Sequence, residues 1–483
     1  MVSITFYGAI NEIGGNKILI EGTETRVFLD FGLCFNRYGN YFSPYITPRQ
    51  GLKLKDFIEL KLLPDLEGLY RQDFEQRFRE SSKEPLFDGV VLSHPHIDHA
   101  GFIPFIRSDI PFYASEGSLA ILKAIEQTSQ GFYEFLKLKE KFKIRESKRE
   151  KGKYVRDKDS SVQREITTFK SSFKIGEFTF HPFSVDHSIV GATAYVIETS
   201  EGAVVYTGDI RFHGRKYDLS WKFVEEASKY DPILMITEGT RIHEQTTVTE
   251  LQLEDNLKRI IKEISGLVVA SFPVRDFDRM QSFVNAGKEN GRELVISTRQ
   301  AFALDVLEKE KIDDVPNLDE VRVFLPSKSW GIYDNPNYPI EIQMQDYSTW
   351  ERKIIEKSST ITANEIREEQ ESYILRVEPT ELKYLLDINP KIGSRYIRSL
   401  TEPVDEEMEI QQQKMDNWLK FFSLYPYKQL HCSGHTSRKE LLEMINKINP
   451  KKIVPIHTEN AKDFMSAFEK VMIVEEGVKI TLK

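Results

Sequence analysis

Ser93-His94-Pro95-His96-Ile97-Asp98-His99-Ala100-Gly101 decides the reading of this chain. It sets three histidines and an aspartate within six positions, while the whole 483-residue sequence has ten histidines. The run Asp88–Ser93 (DGVVLS) leads into it and is a compact apolar stretch of the kind that forms a buried strand. A loop at a strand end can turn alternate side chains toward one point, where a helix would scatter them. Imidazole and carboxylate are donors that suit zinc or manganese. His94 and His96 can reach one ion while Asp98 and His99 reach a second. Two ions about 3.5–4 Å apart form the usual clamp for hydrolysing a phosphodiester.

Around this loop the composition is that of an ordinary globular protein, 40% hydrophobic and 29% charged, which excludes disorder and collagen-like repeats. The length predicts more than one domain. No apolar run approaches the roughly 18 residues of a membrane helix, so no membrane partner is expected. The opening MVSITFYGAINEIGG lacks a basic region followed by an apolar core, which argues against a secretory leader. Cys34 and Cys432 are too few for a disulfide framework; they read as buried packing residues in a reducing cytoplasm. A net charge of −9 argues against wholesale coating by nucleic acid but allows a local basic groove.

Short strands are expected at Ile4–Tyr7, Lys17–Glu21 and Arg26–Asp30, and again in FTFHPF, ATAYVIET, AVVYTGD and ILMITEG between Phe178 and Glu238. Residues 35–85 are less regular, with a helix-prone stretch DLEGLYRQDFEQRFRES, and a helix is expected at Gly117–Gln127. Residues 137–159 carry eleven Lys/Arg against five Asp/Glu and read as a solvated helical hairpin, with a nucleic-acid guide as the alternative. Helical patterns at Thr249–Ser265, Asp276–Glu289 and Arg299–Glu310 interleave with strands at Leu267–Ser271, Glu293–Ser297 and Val321–Leu325. That is the rhythm of a parallel sheet in a separate domain. A helix at about Asp405–Phe422, another at Arg438–Ile448 and the strand Lys452–Ile456 follow.

H-x-H-x-D-H after a β-strand resembles the metallo-β-lactamase superfamily. Asp30 after strand VFLD is similar to its first acidic motif, His187 in SVDHSIVG to its third-motif histidine, and Asp209 in VVYTGDIR to the aspartate that bridges both ions. Three further segments resemble motifs A, B and C of its nucleic-acid-cleaving β-CASP branch: Glu238-Gly239-Thr240, His435 in HCSGHTS, and His457 in IVPIHTEN. ASFPVRDFDRMQ resembles a strand–loop–helix of the domain inserted in that branch. The resemblance implies an α/β fold: a metallo-β-lactamase αββα sandwich, residues 1–244 and 427–483, with an inserted β-CASP α/β domain, residues 245–426, built on a parallel sheet.

It also implies two zinc ions per chain, with manganese as the alternative. His94, His96 and His187 would hold one ion, Asp98, His99 and His457 the other, and Asp209 would bridge them. Asp30 would brace the metal loop through hydrogen bonds, His435 would act as general acid, and Glu238 would orient it. Ser433, Gly434 and Ser437 could meet a substrate phosphate, though a helix cap by Thr436 or Ser437 explains the latter equally well. Ser394 with Gly393, Arg395 and Arg398 suggests a phosphate pocket; Arg275 and Arg279 fit either such a role or a charged helix face. His181, His213, His243 and His431 match no motif and read as packed or surface residues.

The implied function is a zinc-dependent ribonuclease, similar to RNase J and to the polyadenylation-factor endonuclease, hydrolysing single-stranded RNA in the cytoplasm as a 5′→3′ exonuclease, an endonuclease or both. The motif C histidine argues against the DNA-specific members, and DNA stays open as a second substrate. A non-catalytic scaffold would have lost metal ligands, and a small-molecule thioesterase would have no use for the insertion. Motif A reads Glu-Gly-Thr and motif C His-Thr-Glu, both departures from the commoner RNase J pattern. The chain stops 26 residues past His457, so a homodimer is a weaker expectation than cleavage.

Overall fold

Alternation along the first strands builds two faces at once. In Ser3–Phe6, Ile18–Glu21 and Arg26–Leu29, the side chains of Ile4, Phe6, Ile18, Ile20, Val27 and Leu29 enter one core, while Leu19 and Phe28 enter another on the opposite face. A computed structural model describes the chain apart from residues 130–132, 141–143, 157–160, 246, 332, 334, 402–405 and 483, and apart from the side chains of residues 156 and 406–409.

The first sheet orders its strands Ile166–Thr168, Phe112–Ala114, Gly89–Val91, Arg26–Leu29, Ile18–Glu21, Ser3–Phe6 and Lys479–Thr481. The second runs Phe173–Ile175, Phe178–Ser184, Thr193–Thr199, Gly202–Tyr206, Leu234–Glu238 and Ile453–Ile456. Phe178, Phe180, Tyr195, Ile197, Val204 and Val454 of the second sheet meet Ile4, Ile18 and Val27 of the first in one shared core. Helices Tyr217–Ser228 and Arg438–Ile448 cover the outer face of the second sheet, and Glu116–Thr128 lies on the first. The layers are therefore αββα.

A third sheet, wholly parallel, orders Thr360–Thr362, Val321–Leu325, Glu293–Ser297, Tyr373–Arg376, Val268–Ser271, Arg395–Arg398 and Lys428–Gln429. Its central strands are buried on both faces, as parallel strands covered by helices are. Val268 and Ala270 face one core, Val269 and Leu375 the other. The helices Glu250–Lys262, Phe277–Glu289 and Thr298–Lys309 start at side-chain caps from Thr249, Asp276 and Ser297. Thr298–Lys309 packs against Glu116–Thr128 and joins the third sheet to the sandwich.

Two local expectations are corrected. The basic segment is not a helical hairpin where it is described: Ile144–Glu146 pairs antiparallel with Tyr154–Arg156, and Lys137–Leu138 pairs with Val162–Gln163. Gly152, at φ +81°, makes the turn, and β-branched Ile144 and Val155 favour strand over helix. Residues 141–143 and 157–160 of that segment lie outside the described residues. In the helix-prone stretch 65–81 only Gln72–Glu75 is helical, while a helix that patterning missed spans Lys53–Glu59. Among the described residues no helix is long and apolar enough to cross a membrane.

Candidate metal centre

The metal-loop candidates leave the strand Gly89–Val91, and His96 stands just before the short helix Ile97–Ala100. The loop is fastened through its backbone. Asp98 O accepts from the N–H groups of Gly15 (2.9 Å) and Asn16 (3.1 Å), and His99 O from Phe31 N–H (2.8 Å). Gly32 lies so close that a Cβ on it would come within 1.6 Å of Asp98 O, so only glycine fits. Asp30, at φ +56°, accepts from Ser93 N–H (2.6 Å), Ser93 Oγ (2.6 Å), Tyr206 OH (2.5 Å) and His99 Nδ1 (2.7 Å). The last contact leaves His99 Nε2 as the nitrogen that faces inward.

Asp209, Glu238 and His457 follow or end the adjacent parallel strands Gly202–Tyr206, Leu234–Glu238 and Ile453–Ile456, so parallel pairing delivers them to one edge. His187 joins from the loop after Phe178–Ser184. Two four-residue clusters result, His94–His96–His187–Asp209 and Asp98–His99–Asp209–His457, with a smaller group Asp209–Glu238–His435 beside them, and in each the potential ligand atoms lie within 4.8 Å of one another. His96 Nδ1 is 3.1 Å from both His94 Nε2 and His187 Nε2. Asp209 Oδ2 lies 3.6 Å from His94 Nε2, 3.7 Å from His187 Nε2 and 3.8 Å from His457 Nε2, and its Oδ1 lies 3.3 Å from His99 Nε2. Asp98 Oδ2 is 3.1 Å from His457 Nε2.

The donor set fits metal ions on two counts. Both Asp209 oxygens and His99 Nε2 are buried without a hydrogen-bond partner, a costly state that a cation would relieve. Burial pulls His94 and His187 well below the ordinary histidine range and His96 to about 4, so their rings are neutral with lone pairs to offer. Burial would raise Asp209, but His457, His99 and His435 hold it well below the usual carboxylate range. Asp98 is likewise lowered against its burial, through His457 and His99.

Beside the clusters, Glu238 is fully buried, accepting Ile210 N–H at 3.0 Å through Oε1 and facing His435 Nδ1 at 3.0 Å through Oε2. Burial opposes charge on His435, but Glu238 and Asp209 outweigh it and raise the imidazole to about 9. Thr240 Oγ1 stands between His435 Nδ1 (3.3 Å) and His457 Nδ1 (2.9 Å).

Sequence reasoning missed what holds His435 in place. Four consecutive carbonyls of its loop are each gripped by a different side chain: Cys432 O by Arg279 Nη2 (2.9 Å), Ser433 O by His213 Nε2 (3.1 Å), Gly434 O by His187 Nδ1 (2.6 Å) and His435 O by Arg241 Nη1 (3.2 Å). Arg279 is buried and pairs with Glu250 at 2.7 and 3.0 Å, so it is neither a charged helix face nor free for a phosphate. His213 is buried as expected, yet it ties Ser433 to Glu440 rather than filling space. Arginine spacing and a motif-free histidine carried no sign of these roles, since the partners are main-chain atoms far along the chain.

Two phosphate candidates are corrected. Ser437 is 2% exposed and caps the helix Arg438–Ile448, its Oγ donating to Glu440 at 2.8 Å, so the capping alternative holds. Ser394, also 2% exposed, accepts Leu267 N–H at 2.9 Å and precedes the strand Arg395–Arg398, at the end remote from Ser399 and Arg279. Parallel sheets present ligands at the carboxyl ends of strands, and Ser394 is at the other. Arg398 is engaged by Gln429 Oε1 (3.1 Å) and Leu400 O (3.1 Å). Ser433 Oγ accepts His435 N–H at 3.1 Å. His181 stands 3.0 Å from Glu198, His243 is exposed, and Cys34 and Cys432 are buried thiols.

Two family models match the chain. One, described as "Beta-lactamase superfamily domain", covers residues 63–259; the other, "Zn-dependent metallo-hydrolase RNA specificity domain", covers residues 427–482. The chain belongs to the metallo-β-lactamase superfamily. The parallel sheet is an inserted domain, set between those halves of the sandwich. Curated relatives include a Ribonuclease J of Helicobacter pylori, 23% identical over 95% of this chain, and one of Pyrococcus abyssi, 23% identical over 95% of this chain and 90% of its own length. The chain spans 56% of the Helicobacter protein, little more than half. A crystal structure of a protein of unknown function from Enterococcus faecalis shares the fold, with a TM-score of 0.70, 22% identity and 99% coverage of both chains.

Proposed function

We propose that the chain is a zinc-dependent ribonuclease that hydrolyses phosphodiester bonds of single-stranded RNA, with the sandwich drawn from residues 1–244 and 427–483 and the inserted domain from 245–426. The observation that carries this reading is the pair of His/Asp clusters sharing buried Asp209, with the His435–Glu238 pair beside them. In it, His94, His96, His187 and Asp209 would hold one ion and Asp98, His99, Asp209 and His457 the other; zinc is the ion the donor set favours, with manganese the alternative. Ions bound there would supply Lewis-acid charge to a water and to the phosphate.

The chain's own residues do the rest. Asp30 fixes the tautomer and orientation of His99 through Nδ1, and Gly434 O does the same for His187. Glu238 holds His435 through Nδ1, leaving its Nε2 to pass a proton to the 3′-oxygen as the P–O3′ bond breaks and water adds to phosphorus. The Arg279 and His213 grips on Cys432 and Ser433 keep that imidazole in register. The relatives' names, Ribonuclease J, and the RNA-specificity description of the C-terminal match support RNA as substrate.

The test is a time course on a 3′-labelled single-stranded RNA bearing a 5′-monophosphate, with DNA of the same sequence beside it and an Asp98→Ala/His99→Ala enzyme as blank. Metal-dependent shortening or discrete cuts in RNA are expected and separate exonuclease from endonuclease. Cleavage of DNA alone would turn the reading to a DNA nuclease. Cleavage of neither would leave a non-catalytic scaffold.

A further inference from the structure

Two stretches that the metal centre does not use meet around a cavity of about 550 Å³. One is the irregular segment 35–85, which supplies Lys53, Arg71, Phe74 and Arg77; the other leads into the basic hairpin and supplies Glu134 and Lys139. Pro104 and Phe105, in the 3-10 turn Ile103–Phe105 that comes after the short helix Ile97–Ala100, form part of its wall.

The lining has two characters. One is cationic: Arg71, Arg77 and Lys139 line the cavity, and its carboxylate, Glu134, is shared by Arg71 (2.9 Å) and Lys139 (3.3 Å). Arg71 is held rigidly, buried and bonded to Asp73 as well. Arg77 is different: it is exposed and donates to main-chain carbonyls, Asp73 O (2.9 Å) and Gly51 O (2.8 Å), and no carboxylate among the described residues neutralises it. The other character is planar and apolar. The Phe74 ring has the Arg71 guanidinium 4.4 Å and the Arg77 guanidinium 5.9 Å from its centroid, next to Pro104 and Phe105. A volume of this size suits a small ligand rather than a water or an ion.

We propose that this cavity binds a nucleoside phosphate, its phosphate on Arg77 and Lys139 and its base against the Phe74–Pro104 wall. Excess positive charge beside guanidinium and aromatic faces is the combination that takes a phosphate and a base together. The choice of ligand rests on the ribonuclease reading, under which the occupant is a nucleotide of the bound strand; a free mononucleotide has the same chemistry. The site lies on the sandwich, one short helix beyond Asp98 and His99, and uses none of the candidate metal ligands.

The test measures binding to the metal-loaded full-length protein, with AMP and with a phosphorothioate-linked single-stranded RNA. Arg77→Glu/Lys139→Glu reverses two exposed charges, and Lys148→Glu/Lys151→Glu reverses two on the same basic segment but off the cavity. The first variant is expected to weaken binding about tenfold or more and to reduce the salt slope by about 0.7 for each phosphate it no longer neutralises. The second is expected to change little, and hydrolysis of bis(p-nitrophenyl) phosphate to stay unchanged in both. A response of RNA alone assigns the cavity to the strand, and a response of AMP alone to a free nucleotide; either supports the proposal. Unchanged binding of both ligands, or an equal loss in the second variant, overturns it. Because binding needs no cleavage, failure of the ribonuclease reading would show separately.

Discussion

Asp209 is buried with five histidine nitrogens within 3.8 Å of its carboxylate, from His94, His99, His187, His435 and His457, and none of them makes a hydrogen bond to it. At this scale residue type largely decided what could be read. Histidine and aspartate are rare at close spacing unless they share a task, so the candidate metal-loop residues stood out in the chain. Serine was not, because its hydroxyl serves caps, strand ends and ligands alike. Ser437 and Ser394 proved to serve the backbone. His435 is 23% exposed and pairs with Glu238; it stands outside both four-residue clusters, in a third group with Asp209 and Glu238. His435→Ala is therefore expected to keep both metals, measured by elemental analysis, while RNA cleavage falls by about 10²–10⁴-fold. Loss of a metal would refute the proton-donor role.

Among the elements, the strands and helices that patterning named were legible close to their observed bounds, since periodicity and caps are local, although the helix Tyr217–Ser228 and the strands Tyr373–Arg376 and Arg395–Arg398 were not named. Arg438–Ile448 and Val321–Leu325 fall where patterning put them. The irregular connections were not, because their conformation is set by distant partners. Lys17 is one: buried behind the metal loop, it donates to Gly15 O (2.8 Å) and Gly32 O (3.1 Å), joining the turns on which Asp98 rests. Burial pushes its pKa down to about 8, against the pull of Glu12. The folded value lies below the unfolded one, so the folded protein gives up its proton first. Stability from this group is absent below pH 8 and grows toward about pH 10.5, by up to about 1.4 kcal/mol per pH unit. Urea unfolding of wild type and Lys17→Met across that window should show a rise in the difference between them; parallel curves would contradict it.

For the whole molecule, the candidate centre is a junction. The loop of Asp98, the strand ends of the second sheet and the loop of His435 converge on it, and Arg279 reaches the last of these from a helix beside the third sheet. Ions held there bind the folded state alone, so their removal should destabilise the chain, by about 2.7 kcal/mol for a site filled at 100 times its Kd. A chelator is expected to lower the melting temperature of wild type more than that of Asp209→Asn, followed by scanning fluorimetry. Equal shifts would mean that the clusters hold no stabilising ion. By itself the sequence determined the strand-end placement of the candidate ligands and the parallel rhythm of the insertion, because burial patterns, caps and the H-x-H-x-D-H spacing are written in neighbouring residues; the αββα sandwich came from the resemblance those motifs carry. Only the tertiary structure decided which side chains grip the His435 loop, that Arg279 is spent on Glu250 and Cys432, and that segment 35–85 closes a cavity with Lys139. Those interactions join residues far apart in the chain, and hydrogen bonds to main-chain carbonyls leave no trace in residue identity.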